Sequence, residues 1–408
     1  MKISMSSLIV SLLLAGSAAT AATPLQLIAA RSSDLVPSRL QATTPARSAI
    51  ADPVRQPVSM SWALDAKQAL DARPVPFTRQ SREYWIDASA DQLQQGFALS
   101  TSANGALIRL SPHADNAQVI DASTLLFRAN GRLYTASDAV RSAADQDALR
   151  AAGMDVPSGS VVVKLADTLG SGRIELIAPD AAGSYLVHVF EPASKIVMSL
   201  QAERDTVLAG DRVRIVTAIE GATLDRVEGL LSAPDGSSQD VSFLRQGNGS
   251  YAALVRPDPA HAGGFGLWEV HAFGNASNRG LSVPRDARTA FAVSVASARL
   301  SGSIERAPGI AKDPALKLVI GVEAATASRY QLAGTLYGSR SDGSLAPLAI
   351  AHSAAWLEAG TAAITLTFDG QSLGNSLLRA PYEIRDLRLI NQADMSLVER
   401  RERAARID

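Results

Sequence analysis

Asp258, His261 and His271 are the residues whose types and spacing come nearest to a chemical site in this chain. An aspartate three residues before a histidine can share a proton with it for acid–base work, or join it on a metal ion. His271 follows in the same stretch, with Trp268 between the two imidazoles. The setting favours ligand binding over catalysis. His261 stands in Ala260-His261-Ala262-Gly263-Gly264, a flexible loop that makes a poor support for a reacting group. These three are candidate ligand-binding residues only; the ligand-binding site itself is not assigned, and neither is a catalytic residue.

The other motifs of exported enzymes are missing. His113, His188 and His352 complete the histidines; no H-E-x-x-H occurs, so a helical zinc hydrolase site is absent. His188 shares a strand face with Leu186 and Phe190 and reads as a packed or edge histidine. No G-x-S-x-G elbow, phosphate loop, dinucleotide fingerprint or D-[ST]-G motif is present. Glycosidases need two carboxylates about 5 to 9.5 Å apart; Asp87, Asp115, Asp121 and Glu175 are the undistinguished acids available in the first domain. Asp235-Gly236-Ser237-Ser238-Gln239-Asp240 lacks the D-x-[DN]-x-[DN]-G calcium pattern and reads as a hairpin. No metal and no cofactor is expected.

The elements that would carry these residues are strands. Residues 22–57 read as a Pro/Ala/Ser-rich leader, mostly loop, and Val58-Ser59-Met60-Ser61-Trp62 alternates with the period of a half-buried strand. From there to 193 a β-rich first domain is expected. It has the Asn130-Gly131 hairpin signal and one helix from Ser137 to Met154, whose apolar side is Val140, Ala144, Ala148 and Leu149. Residues 194–297 show turn chemistry at the spacing of a sandwich and seven strands, with Trp268 filling the core, the plan of a constant-type immunoglobulin-like domain. Residues 298–408 repeat that plan. Their tail, Glu399-Arg400-Arg401-Glu402-Arg403, carries both signs of charge and reads as a solvated end. The fold class is mainly β: tandem immunoglobulin-like β-sandwiches preceded by a β-rich first domain with one helix.

Composition and the first residues speak to compartment. Lys2, the apolar run Leu8 to Ala15, and small residues at Ala19 and Ala21 form a secretory signal peptide over 1–21, with cleavage after Ala21. The mature chain is expected in the periplasm or secreted. With no cysteine it has neither disulfides nor the acylated Cys of a lipoprotein, and with no second long apolar run it has no transmembrane anchor. Its 39 basic and 40 acidic residues give no field that would draw nucleic acid.

A set of short motifs also resembles a known family. These are Ser61-Trp62-Ala63-Leu64, Tyr84-Trp85, Gly105 to Pro112, Ala209-Gly210-Asp211, Gly249-Ser250-Tyr251, Gly266-Leu267-Trp268-Glu269-Val270, Phe368-Asp369-Gly370 and Pro381 to Leu389. Together they resemble the exported proteobacterial family labelled domain of unknown function 4785. The resemblance covers most of the mature chain and implies three successive β-rich domains; it brings no assigned catalytic residue. The expected function is non-catalytic: an exported binding or scaffolding protein engaging a protein or polysaccharide in the cell envelope. The rivals are a secreted hydrolase with its site in the first domain and two accessory sandwiches, and an envelope inhibitor or chaperone-like partner.

Overall fold

The computed structural model describes residues 23–43, 54–71, 73–113, 118–262, 266–278, 280–308 and 315–408. The signal segment 1–21, the last part of the leader up to residue 53, and Asp115 lie outside the described residues. The chain is mainly β, as its alternating patterns require, and forms two compact units: residues 73–296, and residues 297–408 joined by those before 73.

In the second of these units two antiparallel sheets enclose one core. The strands Thr23–Gln26, Ala298–Arg306, Leu316–Ala324 and Gly360–Phe368 form one sheet. Val58–Ala63, Leu345–Leu357, Ser328–Ser339, Arg379–Asn391 and Ser396–Ile407 form the other. Leu318, Ile320 and Val322 alternate inward to meet Tyr330, Leu366, Phe368 and Leu389.

Two expectations are corrected here. The sequence pattern puts Val58–Ala63 in the first domain and the residues before it in a loop-like leader. The strand instead pairs with Leu345–Leu357 (Met60 opposite His352), while Thr23–Gln26 pairs with Ala298–Arg306. Leu35 is buried and bridges Arg400. Periodicity identifies a strand but carries no information about a partner far away in sequence. The charged tail is likewise no solvated end. It lies within Ser396–Ile407, where buried Glu399 accepts the Leu300 N–H at 2.7 Å and Arg401 Nε at 2.7 Å. Burial raises the Glu399 pKa above the ordinary carboxylate value.

The 73–296 unit is built on one ten-stranded sheet. Its main path runs Ser238–Ser242, Thr223–Ser232, Trp268–Asn278, Leu281–Ser294, Glu83–Ser89, Ser184–Phe190, Leu107–Pro112, Val161–Leu165 and Val140–Ala144; Thr206–Leu208 pairs with Leu281–Ser294. The two halves meet at a single pairing, Asp286 opposite Glu83. A five-stranded sheet covers one half over Met198, Ile215, Val270 and buried Trp268, and a four-stranded sheet covers the other over Tyr84, Ile108, Phe127 and Val187. Residues 83–190 and 206–294, which the sequence pattern divides between two domains, thus contribute strands to one continuous sheet.

The expected Ser137–Met154 helix breaks into three pieces: a short helix Ala136–Ala139, the strand Val140–Ala144, and a helix Gln146–Ala151 capped by Asp145. Pairing with Val161–Leu165 (Val162 opposite Ala144) overrides the helix preference of an Ala/Ser-rich segment. The Asn130-Gly131 hairpin forms as read. Both residues take the left-handed conformation (φ 50° and 75°) between Leu126–Ala129 and Arg132–Thr135.

Candidate functional site on the open sheet face

Three strands place planar groups in one row. In Glu83–Ser89, Ser184–Phe190 and Leu107–Pro112, the residues Tyr84, Val187 and Ile108 point into the core, so Trp85, His188 and Arg109 point out. The register puts Trp85 opposite His188 and His188 opposite Arg109. The indole and imidazole stack at 3.9 Å between centres and 11° between planes. Arg109 Cζ lies 4.9 Å from the indole centre, and Arg288 Cζ, from across the junction, lies 5.4 Å from it.

Carboxylates flank this stack. His188 Nε2 donates to Glu83 Oε2 at 2.9 Å, and Arg79 approaches Glu83 Oε1 at 3.5 Å. On the other side of the junction His271 Nε2 meets Asp286 Oδ2 at 3.1 Å, and the same oxygen accepts the backbone N–H of Trp85 at 3.1 Å. Arg288 is 3.6 Å from Glu269. The exception is Arg109. Its Nε is buried and has no hydrogen-bond partner among the described residues. Burial pulls its pKa below the ordinary arginine value, opposed by the charge of Glu83.

Glu83 has a depressed pKa, chiefly through the His188 hydrogen bond, with burial opposing and Arg79 assisting. A carboxyl whose folded pKa lies below its unfolded value stabilises the fold above the unfolded value, here 4.5, and that contribution disappears as pH falls through the folded one. Glu83→Gln should therefore lower stability by roughly 1 kcal/mol at pH 6 to 7 and flatten its decline below pH 4.5. Urea titrations at several pH values would measure this; parallel curves for the two proteins would refute it.

The candidate binding residues divide. His271 belongs to this face. Asp258 and His261 line a separate cavity of about 150 Å³ in the same unit, with Ser237, Gln239 and Trp268 among its walls. They are not paired there. Asp258 caps the turn Pro259–His261 by accepting the Ala260 N–H at 2.9 Å, and His261 Nδ1 instead contacts Asp235 Oδ2 at 2.6 Å. Hydrogen bonds from the Ser237 hydroxyl and N–H, then from His261, hold the Asp235 carboxyl at about 2. The Ser237 hydroxyl donates to Asp235 Oδ1 and not to the imidazole, which is not the order of an activated nucleophile. Of the first-domain acids, Asp87 meets His113 at 2.7 Å, Glu175 pairs with Arg128, and Asp121 caps a short turn. Among the described residues no group of three or more His, Asp or Glu side chains converges as a metal site, and no helix is long and apolar enough to cross a membrane.

Trp85, Arg109, Arg288, Glu83 and Asp286 were not singled out as site residues from the sequence. Each sits at an ordinary outward strand position, and only the pairing of strands distant in sequence assembles them.

Comparison with known proteins agrees with the fold. Residues 51–191 match the family model described as the N-terminal domain of domain of unknown function DUF4785, and residues 297–408 match its C-terminal domain. The crystal structure of a DUF4785 family protein from Legionella pneumophila superposes with a TM-score of 0.72 at 21% identity, covering 91% of this chain and 98% of that one. A trypsin-activated alpha-2-macroglobulin from Escherichia coli aligns at 14% identity over 75% of this chain and 22% of that one. Its TM-score of 0.21 is too low for a shared fold. No curated protein matches the chain.

Proposed function

The chain belongs to the DUF4785 family, and from that footing we propose a non-catalytic binding protein of the cell envelope whose open sheet face takes an acidic polysaccharide. The signal-like residues Lys2, Leu8 to Ala15, Ala19 and Ala21 support export. The observation that carries the reading is Arg109, a partly desolvated guanidinium over an indole whose buried Nε has no acceptor among the described residues. A cation in that state is stabilised by an incoming carboxylate, which a planar guanidinium can grip through two parallel hydrogen bonds. Arg288 brings a second guanidinium to the same indole from the neighbouring half of the sheet. Trp85, His188 and Arg109 stand side by side on three neighbouring strands, a row that suits a polymer lying across the sheet.

The test is electrophoresis of the full chain through gels containing polygalacturonate or neutral dextran. Retardation is expected with polygalacturonate alone and should weaken with added salt. Arg109→Met keeps a stem over the indole but loses the charge. It should weaken retention about tenfold, a difference of about 1.4 kcal/mol. Equal retardation in both gels, or an unaltered variant, would sink the proposal.

A further inference from the structure

The ten-stranded sheet ends in a strand with a free side. Val140–Ala144 pairs with Val161–Leu165 and, among the described residues, with no other strand. Arg141, Ser142 and Ala143 are exposed along it. Beside this edge runs an open cavity of about 520 Å³. Its walls are small: Ala122 and Ser123 from one turn, Ala136 and Ser137 from the short helix entering the strand, and Ser142 and Ala143 from the strand itself.

We propose that this groove takes an extended peptide segment of a partner protein, added to the sheet as a further strand beside Val140–Ala144. An unpaired strand edge offers a row of backbone donors and acceptors that another extended backbone matches. The small walls allow that backbone to approach closely. The strand contains no proline, and its single charge, Arg141, is drawn to Asp167 at 3.8 Å. The lining carries one charged group, and it is negative. Asp121 accepts the Ser123 N–H at 2.8 Å, which holds its carboxyl below the ordinary value and keeps it ionised. The segment that fits therefore has small side chains facing the groove and a lysine or arginine opposite Asp121. The edge is distinct from the Trp85 face, so either reading can fail without the other.

The probe is a display library of random ten-residue peptides panned on the full chain. Enriched sequences should combine small residues at alternate positions with a basic residue. A synthesised winner should slow amide exchange of residues 140–144 at least tenfold. Ser137→Trp fills the groove from an exposed position and should weaken binding by tenfold or more. Asp121→Asn keeps the cap but loses the charge, and should weaken it about threefold and reduce its salt dependence. Three results would overturn the proposal: no enrichment, protection elsewhere than 140–144, or Ser137→Trp binding as tightly as the parent.

Discussion

Glu191→Ala should destabilise the 73–296 unit by roughly 3–5 kcal/mol, because it leaves a guanidinium buried without its counter-ion. Arg285 and Glu191 are both fully buried and meet at 2.5 Å. Arg285 also donates to the Ile196 and Pro284 carbonyls and to the Ser102 and Ser194 hydroxyls. Glu191 accepts the Ser102 and Ala103 N–H groups as well. The pair thus joins residues from both halves of the unit under the point where Glu83 and Asp286 continue the sheet. Arg285→Met alone should cost a similar amount. The double variant Glu191→Ala/Arg285→Met removes both charges and should lose less than the two single losses added together, since neither charge is left buried alone. Guanidinium titrations of the four proteins decide it; additive single losses in the double variant would contradict the coupling.

Removing residues 23–63 should abolish the cooperative unfolding of the C-terminal sandwich. Two strands would leave its sheets, and Leu25 and Leu27, which pack on its core, and buried Leu35 would go with them. Deleting even one buried leucine side chain costs about 2–5 kcal/mol, while a whole domain is stable by only about 5–15 kcal/mol. Calorimetry of the shortened chain should lose the transition of the sandwich and keep that of the 73–296 unit. Leu35→Ala in the full chain should lower the same transition without abolishing it. An intact sandwich transition after the deletion would show that the early strands are dispensable.

Local features were legible in the sequence. Asn130-Gly131 specified its hairpin because only a turn with two left-handed residues fits, and the alternation in Arg212 to Ile219 marked the strand Val213–Glu220. Trp268 reached the core for which its bulk suits it. What stayed hidden was partnership. The helix pattern of Val140 and Ala144 is equally that of an exposed edge strand, and the distinction lies in Val161–Leu165. His271 was visible as a histidine on a strand, yet its carboxylate is Asp286 and its neighbourhood is Trp85. His261 was read beside Asp258, three residues away, when Asp235 on another turn was its partner. Sequence nearness predicts caps and turns well, and cross-strand chemistry poorly.

The pairing of Leu25 with Ile304 and of Val58 with Ala354 has a kinetic consequence. In order of synthesis, the strands that complete the C-terminal sandwich come first and their partners last, with the whole 73–296 unit made between them. Closing so long a loop adds little to the equilibrium cost, which grows only with the logarithm of length, but contacts of high sequence separation form slowly. The middle unit can fold while the early strands wait, and the sandwich finishes by capturing them late. The last pairings to form in that order are those of Thr23–Gln26 and Val58–Ala63 with their late-made partners.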